Sequence, residues 1–146
     1  MYRIYKFDKT KVDYEYIDFK TRPRHCEDEN RWTVIEVQAE GFFKLMDTKM
    51  SKGYLIPKFP TFLDEKNNDH KEKIDVVKFL DPNYCVKNKY SKKPIPLEMP
   101  IVSFENDELV FTNGRHRSRA LEYLGVDKLF IEVRKDNLSK FNEILA

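Results

Sequence analysis

The last third of the chain carries the pattern that most restricts its fold. From residue 94 onward it reads PIPLEMP, IVSF, ELVFT, NGRHRSRALEYLG, KLFIEV and DNLSKFNEILA in succession. The prolines of PIPLEMP hold that segment extended. IVSF and ELVFT are rich in residues that suit strands, and they are separated by Glu105, Asn106 and Asp107, so they predict a hairpin. NGRHRSRALEYLG has the punctuation of a helix: Thr112 or Asn113 as N-cap, Ala120, Leu121 and Leu124 as the buried stripe, Gly125 as the stop. KLFIEV is a short apolar strand. DNLSKFNEILA closes as an amphipathic helix through Leu138, Phe141, Ile144 and Leu145. The order hairpin, helix, strand, helix predicts an α/β or α+β domain built on a mixed sheet.

Upstream the pattern is looser. Near-alternation in the first 20 residues predicts two short strands on either side of Asp8 to Lys11. RWTVIEVQ predicts a strand centred on Val34 to Val37, and Ala39 to Asp47 a short helix with Phe42, Phe43 and Met46 on one side. Residues 49 to 93 contain Gly53, Pro57, Pro60 and Pro82 and read mostly as loop, with one or two helical turns over Asp75 to Leu80.

Composition narrows the class further. A chain of 146 residues supports one domain, here taken as residues 1 to 146, with residues 94 to 146 bearing the motif. Only 40% of residues are apolar, but 11 Phe and 8 Tyr bury much area per side chain. With no apolar run of about 18 residues and no leader-like start, neither a membrane span nor export is expected. Cys26 and Cys85 are too few for a disulfide framework, which suits a reducing, cytoplasmic setting. His25, Cys26, His70 and Cys85 lack the spacing of a zinc module, so no zinc and no other metal site is expected.

Net charge is only +2, yet three of the eight arginines fall within residues 115 to 119. A helix start bears unpaired N–H groups and partial positive charge, so it favours anions. Arg115, His116 and Arg117 in that first turn oppose the dipole unless an anion offsets them. Arginine also matches phosphate through a planar fork of donors. The candidate phosphate or nucleotide site is therefore Asn113, Gly114, Arg115, His116, Arg117 and Arg119, with His116 as a hydrogen-bonding or proton-transferring group. The plain alternative is a surface helix whose arginines pair with Glu122 and Asp127. The basic loop KNKYSKK offers Lys87, Lys89, Lys92 and Lys93 to nucleic acid or a partner protein, or simply to water.

FTNGRHRSRALEYLGVDKLFIEV resembles the signature of the ParB and sulfiredoxin superfamily. The partition-protein form, Gly-Glu-Arg-Arg-x-Arg-Ala, is matched at Gly114, Arg117, Arg119 and Ala120, with Arg115 and His116 departing from it. The sulfiredoxin form, Gly-Cys-His-Arg, is matched at Gly114, His116 and Arg117, but Arg115 stands at the reactive cysteine. The segment from Pro94 to Val133 is most similar to the plasmid fertility inhibition factor branch. That resemblance implies a ParB/sulfiredoxin-like fold that binds ATP or another nucleotide, with magnesium as an optional companion. It also implies an inhibitor of conjugative DNA transfer, or a similar mobile-element regulator, acting on a coupling protein of the secretion machinery.

Two other classes remain open at this point. A metal-dependent nuclease or nucleoside triphosphatase of the same fold needs a base or metal ligand beside the arginines, for which Arg115, His116 and Glu98 form the catalytic set and Asp107, Glu108 and Glu122 are further carboxylates. A DNA-binding regulator would use the same arginines with the basic loop on backbone phosphates.

Overall fold

A computed structural model describes residues 2–12, 14–22, 31–51, 53–64, 70–80 and 96–145. The chain is mixed α+β. Strands β1 (Tyr2–Ile4) and β2 (Ile17–Lys20) pair antiparallel, and β4 (Leu97–Glu98) joins β2 in parallel, giving a small sheet of order β1-β2-β4. The larger sheet has the order β3-β7-β5-β6, from β3 (Trp32–Gln38), β5 (Ile101–Glu105), β6 (Glu108–Asn113) and β7 (Lys128–Arg134). In it β5 runs parallel to β7 and the other neighbours are antiparallel. The expected single mixed sheet is thus two sheets, because PIPLEMP hands the chain from β4 in one to β5 in the other.

The hairpin forms where the sequence places it. Asn106 and Asp107 take positive φ of 50° and 66°, the conformation of a two-residue turn whose twist matches that of the strands, and Asn and Asp tolerate it best after glycine. Four α-helices are present among the described residues: α1 (Ala39–Lys49), α2 (His70–Leu80), α3 (Arg115–Tyr123) and α4 (Leu138–Leu145). Helix α2 is longer than the one or two turns expected from Asp75. Lys73, Val76 and Phe79 form its buried stripe, and a lysine within that stripe conceals the period in sequence.

One apolar cluster joins both sheets, running from Ile4, Ile17 and Phe19 through Phe42, Met46, Leu121 and Ile131 to Phe141. In α4 the expected stripe is narrower than its spacing suggests: Phe141 is fully buried, Leu138 and Leu145 pack partly, and Ile144 remains 43% exposed. Eight residues make about two turns, too few for four apolar positions to share one narrow contact. No helix among the described residues is long and apolar enough to cross a membrane.

Candidate functional site

Helix α3 begins at a position that only glycine fills comfortably. Gly114 is its N-cap, with φ 97° and ψ 14°, and no side chain caps the helix. Neither Thr112 nor Asn113 takes that place; Asn113 is still paired with Ile101 as the last residue of β6. A Cβ on Gly114 would lie 2.8 Å from Pro100 Cα, so both the left-handed backbone and the approach of PIPLEMP demand glycine. The nearest obstacle is therefore protein backbone. Inside the helix start, Ser118 donates from its amide and its hydroxyl to the Gly114 carbonyl at 2.9 and 2.8 Å.

The three arginines have three different fates. Arg119 is 2% exposed and donates to Asp47 Oδ1 at 2.8 Å, to Glu122 Oε1 at 3.1 Å and to the Ile56 carbonyl at 3.0 Å. It braces α1, α3 and the 50–60 loop, which is the carboxylate-paired alternative realised at one residue. Arg115 reaches the Tyr54 carbonyl at 2.7 Å from the surface. Arg117 turns toward the small sheet and donates from Nε to the Glu98 carbonyl at 2.8 Å. Its Nη2 is buried without a hydrogen-bond partner among the described residues. Burial lowers the pKa of Arg117 from its ordinary value, and Arg22 adds to this, while the carboxylates of Glu98, Glu72 and Asp75 pull it back.

His116 is 1% exposed, between the edge of the Phe62 ring and Glu72, whose Oε2 lies 2.8 Å from Nδ1. It ties α3 to α2 within the core. The Glu98 carboxylate lines a cleft with Lys20, Lys71, Asp75 and Arg117. Comparison with family models, curated proteins and solved structures gives no match.

Two clefts flank the start of α3. The larger, of about 490 Å³, is lined by Asn113, Gly114, Arg115, Phe111 and Leu109 with the carboxylates of Glu72, Glu105 and Glu108. The smaller, of about 270 Å³, lies between β2, β4 and α2 and presents Arg117. Among the described residues no group of three His, Cys, Asp or Glu side chains is arranged to hold a metal ion. Lys87, Lys89, Lys92 and Lys93 lie outside the described residues, as do His25, Cys26 and Cys85.

Sequence reasoning missed Lys20, Lys71, Glu72, Asp75 and Pro100. Lys20 ends a four-residue strand and Lys71, Glu72 and Asp75 belong to a helix largely unseen in sequence, so nothing local marks them. Pro100 could have been found from its place two residues after Glu98, where the chain must turn into β5 beneath Gly114.

Proposed function

We propose that this chain binds a phosphate group of a nucleotide at the first turn of α3 and acts, like the plasmid fertility inhibition factors its motif resembles, as an inhibitor of conjugative DNA transfer. One observation carries the phosphate site. Arg117 is a desolvated cation with an unpartnered donor at a helix start that no side chain caps, an arrangement that an anion relieves. Arg115 at the rim supplies a second fork.

The larger cleft favours a nucleotide over a nucleic-acid strand. Its volume is in the range of small-molecule sites, and Phe111 and Leu109 offer apolar surface to a base. Glu72, Glu105 and Glu108 can accept hydrogen bonds from amino or hydroxyl groups and repel a run of phosphates. The inhibitory role and the ParB/sulfiredoxin-like fold rest on the motif at Gly114 to Ala120 and on the hairpin-helix-strand-helix order that surrounds it.

Titration of the wild type and Arg117→Ala with ATP, CTP and single-stranded DNA, with and without magnesium, tests the reading. Saturable nucleotide binding without turnover, weakened at least tenfold in the variant, is the expected result. Equal behaviour of the two proteins toward every phosphate ligand would remove the site, and turnover lost in the variant would make the protein an enzyme instead.

A further inference from the structure

Arg117 is not the only cation on its side of α3. The 270 Å³ cleft it lines also carries Lys20, from the end of β2, and Lys71, from the first turn of α2. Among the described residues neither ammonium has a carboxylate partner within ion-pair distance, whereas Arg3, Arg119 and Lys128 are each closed by one. Arg22 stands close enough to act on Arg117 as a like charge. Two carboxylates, Asp75 and Glu98, share the cleft wall, which leaves the three lining cations in excess by one. Like charges held together without counter-charges are costly, and a polyanion removes that cost.

We propose that this cleft takes a second phosphoryl group of the ligand held at the start of α3, so that the protein selects oligophosphate chains over single phosphates. The proposal rests on the phosphate reading of α3 and adds a subsite on its α2 side. Arg117 is the shared residue. Its Nε is fixed on the Glu98 carbonyl at 2.8 Å, so the guanidinium stands between the helix start and the two lysines and can bridge adjacent phosphoryl groups. Lysines suit the outer position because their point charges follow a flexible chain without demanding one geometry.

Calorimetric titration with orthophosphate, pyrophosphate and tripolyphosphate at constant ionic strength tests the subsite. The wild type should bind the two oligophosphates at least about tenfold more tightly than orthophosphate. Lys20→Ala/Lys71→Ala should bind all three like orthophosphate, with its orthophosphate affinity unchanged. Both lysines are solvent-exposed, so the fold should survive, as circular dichroism would show. Lys44→Ala/Lys78→Ala, which removes two charges outside the cleft, should keep the wild-type selectivity. Equal affinity of the wild type for all three anions, or unchanged selectivity in the cleft variant, would overturn the subsite while orthophosphate binding left the α3 site standing. Absence of orthophosphate binding in the wild type would overturn the α3 site too, and single-stranded DNA that tripolyphosphate cannot displace would replace the oligophosphate with a strand.

Discussion

Arg119 and Asp47 meet at 2.8 Å across 72 residues of sequence, Nη2 donating to Oδ1, with the arginine side chain 3% exposed. This contact divides the arginine cluster into a structural member and members that face clefts. Arg119→Met removes the donors to Asp47, Glu122 and the Ile56 carbonyl together. Because Asp47 and Glu122 keep some access to water, the expected loss is about 3 kcal/mol, at the lower end for breaking a buried pair. Urea unfolding should show it as a lower midpoint, while phosphate affinity of the folded protein stays within about twofold. A variant as stable as the wild type would contradict the bracing role.

Gly114→Ala should cost about 2–4 kcal/mol, combining a left-handed residue that now has a Cβ with the 2.8 Å approach to Pro100 Cα. Thermal unfolding measures the loss. A double variant with Pro100→Gly does not restore the backbone conformation, so it should recover less than half of it. Full recovery would mean that the contact alone, and not φ, requires glycine.

The α3 start shows what can and cannot be read from a single chain. Hairpin, helix, stop and final strand are legible because each is encoded locally, by Asn106 and Asp107 at the turn and Gly125 at φ 67° after the helix. The identity of the cap was not, since Gly114 is set by Pro100, 14 residues earlier. The arginines were legible as a group but not one by one. Arg115 and Arg119 share a helix face in sequence, yet Asp47 from α1 draws one inward, and that partner is invisible without the tertiary structure. The same holds for Lys20 and Lys71, which belong to different elements and meet only through the cleft.

Asp8 supplies a pH test of the N-terminal loop that packs on the end of α3, where its amide donates to the Leu124 carbonyl at 2.7 Å. The Thr10 hydroxyl, the Thr10 amide and Lys11 hold the Asp8 carboxyl below the usual carboxylate range. A depressed native pKa adds stability above the unfolded value and loses it as pH falls through the native one. Asp8→Ala should therefore be less stable than the wild type at pH 7, with the gap closing below pH 3. Denaturant midpoints at the two pH values measure it, and a gap that is constant with pH would show that the carboxylate charge plays no part.

The last helix allows a paired test of packing. Phe141 is fully buried against Phe104, ring centroids 4.6 Å apart, whereas Ile144 on the same helix is 43% exposed. Truncation of a buried ring loses its transfer free energy and leaves a cavity, so Phe141→Ala should cost about 3–5 kcal/mol. Ile144→Ser should stay within about 0.5 kcal/mol of the wild type, as surface changes do. Chemical denaturation of both variants decides whether α4 is held through one deep anchor. If Ile144→Ser were as damaging as Phe141→Ala, the exposed face would have to be covered in solution, and sedimentation of the two proteins would then distinguish a second copy of the chain from a rearranged helix.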